Sequence, residues 1–336
     1  MGANRKIKVL IVDDSLVFRE ALAMGIESEP VIEVVGKAAD AFQARDMILE
    51  FKPDVMTCDI QMPKMDGIEF IKRLIPQYPI PIIVITGFSD TVFDAMNAGA
   101  IDFVLKPDSK HRIEGFINEV ISKIKIAAAS KVNLQSITPT STTSDMTDTQ
   151  KIIAIGASTG GTEAIFNILK GLPKDIPGIV IVQHIPVVFS KMFANRLNEQ
   201  TAFSCKEAET GDVVVPGTVF VAPGSMHMKV KKLGGQYRIE VFPGDKVNGH
   251  CPSIDVLFES VAQQAGRKAL GVILTGMGSD GAKGLLSIRQ NGGRTIGQDE
   301  RSSVVYGMPK AAYNIGAVEK QAALQNIPNV ILGMLK

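Results

Sequence analysis

The feature that most narrows the fold is the make-up of the short apolar runs. "IKVLIVDD", "IEVVGKA", "PDVMTCDI", "IPIIVITG" and "IDFVLKP" succeed one another early in the chain, and "KIIAIGA", "GIVIVQH" and "ALGVILTG" follow later. Most are apolar at nearly every position rather than at every second one. Such a strand is buried on both faces, as in parallel sheets covered by helices on either side. Between the runs lie segments with helical spacing of apolar residues, among them "SLVFREALAMGIES", "DAFQARDMILEF" and "HRIEGFINEVISKI", then "TEAIFNILKGL" and "SIDVLFESVAQQAG". This alternation calls for βα units and an open α/β sheet. One stretch departs from it: "FVAPGSMHMKVKKLGGQYRIEVF" reads as an antiparallel hairpin with "LGG" near its turn.

The alternation is also interrupted by "AAASKVNLQSITPTSTTSDMTDTQ", Ala127 to Gln150, dense in Ser and Thr and poor in large apolar residues. Such a segment cannot bury enough surface to offset the entropy of ordering, and loops of this length are uncommon inside compact domains. We therefore divide the chain into residues 1–126, a flexible linker 127–150, and residues 151–336. A length of 336 residues suits two domains, at about 150 residues each. The formal net charge of +1 points away from nucleic acid and from membrane surfaces. No apolar run reaches the ~18–20 residues that span a bilayer, so direct membrane insertion is not expected. Cys58, Cys205 and Cys251 form no C-x-x-C pair and no even disulfide set, which fits a reducing compartment. Arg5, Lys6 and Lys8 precede a strand rather than a signal-peptide core. The expectation is a soluble, cytoplasmic protein.

In the first domain Asp13 and Asp14 end the first strand and Asp59 ends the third. Ligands of open α/β sheets sit beyond the carboxyl ends of the strands, where the strand order reverses. If strands one and three are neighbours, the three carboxylates crowd one place and repel one another unless a cation intervenes. Their hard oxygens suit Mg²⁺. Thr86 and Lys106 end strands four and five, adding a hydroxyl and an ammonium to the same edge. A carboxylate nucleophile beside a divalent cation and a lysine is suited to receiving a phosphoryl group, where catalysis is mostly charge neutralisation and positioning. A single such aspartate would serve equally well as a helix cap.

"IVDDS", "CDIQMPKMDG", "VIT" and "DFVLKP" match, in order and spacing, the motifs of the receiver domain of two-component response regulators, which the first domain closely resembles. The resemblance implies a flavodoxin-like (βα)5 fold. It also implies Asp59 as phosphoacceptor, with Mg²⁺ held by Asp13, Asp14, Asp59 and the backbone carbonyl of Gln61. Thr86 and Lys106 would contact the phosphoryl oxygens, and Phe103 holds the position of the switch aromatic. Gly87 stands where the family usually has a slightly larger small residue.

In the second domain "IIAIGASTGG" carries G-x-S-x-G between a strand and a helix, the setting of a nucleophile elbow at Ser158. The same glycines could equally form a phosphate or dinucleotide loop. A dinucleotide site would want an acidic residue at the end of the next strand; "GIVIVQH" ends instead in Gln183 and His184. Neighbouring parallel strands lie about 4.8 Å apart, so adjacent strands would put Ser158 and His184 on adjoining loops. Asp280, in "MGSDGAKG" after "LGVILTG", would share that edge. Imidazole could take the serine proton while Asp280 holds its tautomer. The order Ser, His, Asp along the chain is not that of the α/β-hydrolases. The glycines around Met277 would let a backbone N–H serve as oxyanion donor, or would simply make a tight turn. Of the other histidines, His111 lies on a charged helix and reads as solvated, while His227 and His250 are candidates to line the pocket. Cys58 and Cys205 read as structural.

"IGASTGG", "QHIP", "VAPG", "PSIDVLF", "TGMGSDGAKG" and "VVYGMPKAA" resemble the catalytic domain of the chemotaxis protein-glutamate methylesterases. The resemblance implies a doubly wound α/β methylesterase domain, bearing the hairpin, joined by the linker to the receiver. By it Ser158, His184 and Asp280 are catalytic, the Met277 N–H occupies the oxyanion hole, and Thr159 and the turn Tyr306–Pro309 lie nearby. It further implies hydrolysis of glutamyl methyl esters, and deamidation of selected glutamines, on methyl-accepting chemoreceptors. A histidine kinase would be phosphodonor, Mg²⁺ would serve the receiver only, and the unphosphorylated receiver would cover the active site until phosphorylation shifted the equilibrium. Two other readings remain at this point. One is a signalling adaptor without catalysis; the other is a receiver joined to a nucleotide-binding domain.

Overall fold

The computed structural model describes residues 5–87, 91–107, 113–130 and 150–336. His111, residues 131–149 of the expected linker and residues 88–90 lie outside the described residues. The chain divides into two compact units, Met1–Leu134 and Gln135–Lys336.

The first unit runs β1 (Ile7–Val12), α1 (Leu16–Glu27), β2 (Ile32–Ala38), α2 (Ala41–Phe51), β3 (Val55–Cys58), α3 (Gly67–Leu74), β4 (Ile82–Thr86), α4 (Val92–Asn97), β5 (Asp102–Leu105) and α5 (Ile113–Ala128). Its five strands are parallel in the order β2-β1-β3-β4-β5. β3 and β4 are buried at every position, as strands covered on both faces must be. The chain leaves β1 toward β2, then crosses to β3 on the other side, so the order reverses between β1 and β3. Ser15 caps α1 by accepting from the Phe18 N–H. That leaves Asp13 and Asp14, just before it, free of the capping role.

The second unit runs β6 (Ile152–Ala157), α6 (Gly161–Lys170), β7 (Ile179–Gln183), α7 (Val187–Gln200), β8 (Ser204–Glu207), β9 (Val213–Val214), β10 (Thr218–Val221), β11 (His227–Leu233), β12 (Gln236–Phe242), α8 (Ile254–Ala265), β13 (Ala269–Ile273), α9 (Ala282–Gln290), β14 (Arg294–Gln298), α10 (Met308–Asn314), β15 (Lys320–Ala322) and α11 (Ile327–Leu335). Seven strands form a parallel sheet ordered β15-β14-β13-β6-β7-β10-β8. The chain winds outward from β6 to one edge, then returns to β13 on the other side of β6, so this sheet reverses between β6 and β13.

The expected hairpin is β11 with β12, Leu233 facing Gln236 across Gly234 and Gly235. Both glycines have positive φ (58° and 83°), as a two-residue hairpin turn matched to strand twist requires. β9 adds a third antiparallel strand that the sequence pattern did not announce. The core beneath includes Ile254, Leu257, Phe258, Met228 and Val230, so α8 is clamped between the main sheet and the small one.

Candidate functional site

β13, β6 and β7 are consecutive in the large sheet, and Ser158, His184 and Asp280 follow them. The Ser158 N–H donates to the Thr275 carbonyl (2.9 Å) and the His184 N–H to the Ala157 carbonyl (3.0 Å). The three βα loops therefore lie side by side at the switch point. Gly276 makes the close approach possible. A Cβ there would stand 2.6 Å from the Ser158 Cβ and 2.5 Å from the Met308 sulfur. The turn Tyr306–Pro309 backs this loop: the Gly307 and Met308 N–H groups donate to the Gly276 carbonyl (3.1 and 2.8 Å). Thr159 is buried, and its carbonyl accepts from the Thr275 hydroxyl (2.9 Å).

Asp280 is 1% exposed and accepts from five donors. His184 Nε2 stands 2.9 Å from Oδ2, beside the Ile254 N–H (2.7 Å). Oδ1 takes the Ser253 hydroxyl (2.7 Å), the Asn248 amide (2.8 Å) and the Asp255 N–H (3.3 Å). Burial alone would raise this carboxyl, but the bonds from His184, Asn248, Ile254 and Ser253 outweigh it and hold the group well below the usual carboxylate range. Two of the donors are the first N–H groups of α8, so Asp280 is the anion at that helix's N-terminus.

Nε2 being committed to Asp280, the other ring nitrogen, Nδ1, is buried and makes no hydrogen bond to protein. Ser158 is half-buried. Its hydroxyl makes no hydrogen bond to the imidazole among the described residues. Catalytic hydrogen bonds commonly tighten only once substrate is bound. The Met277 N–H meets no protein acceptor among the described residues.

Gln183 answers the question left by the glycine-rich loop. It is buried at the end of β7, and its amide nitrogen donates to the carbonyls of Ser158 (2.9 Å) and His184 (3.1 Å). A side chain that ties two loop carbonyls together occupies the place where a dinucleotide site would need an acid. His227 does not line the site. Its Nδ1 accepts from the Ser253 N–H (3.2 Å), so Nε2 carries the proton toward the Asp245 carbonyl (2.8 Å). The imidazole thereby anchors the segment that delivers Asn248 and Ser253. His250 does line it, its ring stacked on that of His184.

Asn248, Ser253 and Asp255 were not singled out from the sequence, and Gln183 was noted there only as the residue standing where a dinucleotide site would want an acid. Asp255 is buried, accepts from the Gly284 N–H (2.7 Å) and shares the Asn248 amide with Asp280 (2.8 Å). Burial pushes its carboxyl up, partly offset by the Gly284 N–H, and the neighbouring Asp280 charge adds to the rise. The one available signal was Ser253 at the start of α8, a cap residue whose hydroxyl goes to Asp280 instead of to its own helix.

In the first unit, Asp13, Asp14 and Asp59 bring carboxylate oxygens within 4.8 Å of one another. Lys106 Nζ stands 2.6 Å from both Asp13 and Asp59. Burial raises the Asp59 carboxyl against the opposing pull of Lys106. Burial also works against the Lys106 ammonium, but its two carboxylate partners win and raise it. Thr86 is buried and its carbonyl accepts from the Lys106 N–H (2.8 Å). The Gln61 N–H faces Asp59 Oδ1 at 3.4 Å. Phe103 is buried, with Lys123 Nζ 5.4 Å from its ring centre. Three hard, mutually repelling oxygen donors with a lysine already drawn between them fit a divalent cation such as Mg²⁺.

All three cysteines are free. Burial keeps the Cys58 and Cys205 thiols protonated, that of Cys205 pushed up to about 11. Among the described residues no helix is long and apolar enough to cross a membrane.

Residues 153–331 match the CheB methylesterase family and residues 9–118 the response regulator receiver domain. A protein-glutamate methylesterase/protein-glutamine glutaminase of Syntrophomonas wolfei is 55% identical, over 98% of both chains. One from Syntrophotalea carbinolica is 44% identical over 98% of both. The crystal structure of the Thermotoga maritima CheB methylesterase catalytic domain is 37% identical, with a TM-score of 0.54, and covers 55% of this chain and 98% of its own. Fold, paired domains and relatives agree, and the chain belongs to the CheB methylesterase family, with a response regulator receiver domain ahead of the methylesterase domain.

Proposed function

We propose that the chain is a phosphorylation-activated serine esterase of chemotactic adaptation. It acts in the cytoplasm on glutamyl methyl esters of methyl-accepting chemoreceptors, releasing methanol, and deamidates selected receptor glutamines. The observation that carries this reading is the saturated Asp280 carboxylate bonded to His184 at 2.9 Å, on loops adjoining that of Ser158.

Ser158 Oγ attacks the ester carbonyl while His184 Nδ1 takes its proton. The imidazolium is stabilised through Nε2–H by Asp280, which its five donors keep anionic. The Met277 N–H receives the oxyanion. His184 then returns the proton to the departing methoxide, and water, activated in the same way, clears the acyl-enzyme. An amide follows the same course and releases ammonia. Residues 151–336 form the catalytic domain.

In the receiver, residues 1–126, Asp59 accepts a phosphoryl group from a histidine kinase. Asp13, Asp14, Asp59 and the Gln61 carbonyl would hold Mg²⁺, which when bound neutralises phosphoryl charge. Lys106 and Thr86 contact the phosphoryl oxygens, and Phe103 is the aromatic that responds to them. Phosphorylation raises the esterase rate by shifting the chain toward an active arrangement.

The test is methanol release from methylated chemoreceptor by the full-length protein, with and without a small phosphodonor and Mg²⁺. Release should rise with the donor and vanish in Ser158→Ala. No release from wild type, on receptor that a known methylesterase does hydrolyse, would leave an adaptor as the better reading.

A further inference from the structure

The ring of His250 lies on that of His184, centroids 3.7 Å apart and planes 9° from parallel. What such a stack does follows from how His184 is held. The ring is fixed at Cβ by the chain and at Nε2 by Asp280. Nε2 lies closer to the Cβ–Cγ axis than Nδ1 does, so a bond there restrains rotation about that axis less than one at Nδ1 would. The same rotation swings Nδ1 through a wider arc than Nε2, and Nδ1 is the nitrogen left for the serine. A flat group against the ring face restrains the motion that Asp280 leaves loose.

We propose that His250 is a positioning residue for the esterase reaction: by stacking on His184 it sets the plane of the imidazole and so aims Nδ1 at the Ser158 hydroxyl. The inference rests on the catalytic reading of Ser158, His184 and Asp280 given above.

Two further observations bear on it. His250 closes a tight turn in which Val247 and His250 exchange backbone hydrogen bonds (3.0 Å each). The same turn presents Asn248, whose amide grips Asp280. The stacking ring and the carboxylate are thus located by one short piece of chain, and the plane of His184 is referred to the group that binds its edge. Then there is charge. Burial pushes the His250 imidazole down to about 4; His184 and Lys246 push the same way and Asp280 opposes them. At neutral pH the stacking partner is therefore uncharged, and it does not repel the imidazolium that forms on His184 during attack. A lysine or arginine at 250 would.

The experiment compares His250→Ala, His250→Phe and His250→Leu in the full-length protein, activated by phosphodonor and Mg²⁺. It follows methanol release from methylated chemoreceptor, with thermal melting as a check on folding. Removing the ring should lower kcat about 10- to 100-fold, the scale of a misaimed catalytic group, with KM within about twofold. Phe, flat and neutral, should recover most of kcat; Leu, equally apolar but not flat, should not. If Ala does not fold, the Phe and Leu pair decides alone. A folded Ala variant with wild-type kcat, or a Leu variant as active as Phe, overturns the proposal. A wild type without Ser158-dependent hydrolysis removes the catalytic reading and this inference with it. A Ser158-dependent enzyme indifferent to His250 removes the inference alone.

Discussion

The two units place an aspartate-centred site at the same topological point and treat its charge in opposite ways. Each sheet reverses its strand order beside its first strand, between β1 and β3 in one and between β6 and β13 in the other, and each site opens there. In the first, three carboxylates crowd together and are balanced by one lysine, itself 22% exposed. Countercharge of that kind can be exchanged, so the site can take a metal ion or a phosphoryl group and release it. In the second, Asp280 is balanced by five hydrogen-bond donors, two of them the opening N–H groups of a helix. That solvation is built into the backbone and does not leave. Under the proposed function a receiver must alternate between charge states, whereas a triad carboxylate must stay ionised through every turnover. The difference between countercharge and fixed dipoles supplies each requirement.

The largest test of this contrast is Asp280→Asn. An amide nitrogen at the place of Oδ1 would face three donors; placed toward His184 it would force the other tautomer. Steady-state methanol release should fall about 10³- to 10⁴-fold, unaffected by added Mg²⁺. Activity within tenfold of wild type would mean that Asp280 serves the fold and not the reaction. Next comes Gly276→Ala, which drives a methyl group into the Ser158 Cβ and the Met308 sulfur. We expect about a 10²-fold loss in kcat/KM from displacing Ser158, the proposed nucleophile, beside about 1–3 kcal/mol of stability by chemical denaturation.

Lys106→Met probes the other site. It leaves the carboxylates without their cation and should cost the first unit about 1–2 kcal/mol after allowing for solvent at the site. Millimolar Mg²⁺ should restore more stability to this variant than it adds to wild type. Equal Mg²⁺ responses would show that the lysine is not the exchangeable countercharge. The smallest effect concerns pH and His250. The folded imidazole is pushed down to about 4 while an unfolded one titrates near its ordinary value of 6.5. Between those values the unfolded chain binds more protons, so stability of the second unit falls as pH drops from about 6.5 toward 4. The loss should be about 1–2 kcal/mol, discounted for partial exposure, and absent from His250→Phe. An equal loss in both proteins would assign it to other groups.

Much of this was legible from residue order. Two-faced apolar strands required parallel sheets, and in parallel sheets residues just past the strands gather at one edge, which is why Asp13, Asp59, Lys106, Ser158, His184 and Asp280 could be nominated. The hairpin showed itself through "LGG", but β9, two residues long, is too short to carry any periodicity. Asn248 left no signal either, because an amide reads as surface unless its partners are known, and Gln183 showed only that no acid stands at the end of its strand. His227 and His250 looked alike in sequence; one proved to brace a loop through both ring nitrogens and the other to lie on the ring of His184.

The sequence by itself determined the strands, their burial and the ends at which chemistry can collect, since these follow from local pattern and the geometry of βα units. It also determined the kinds of group available at those ends. Only the tertiary structure decided which nitrogen of His184 meets Asp280, which five donors hold that carboxylate, and which of two histidines stacks on His184. These are contacts between segments far apart in the chain, set by how α8 and its preceding turn pack against β6 and β13, and no local pattern encodes an angle or a distance across that packing.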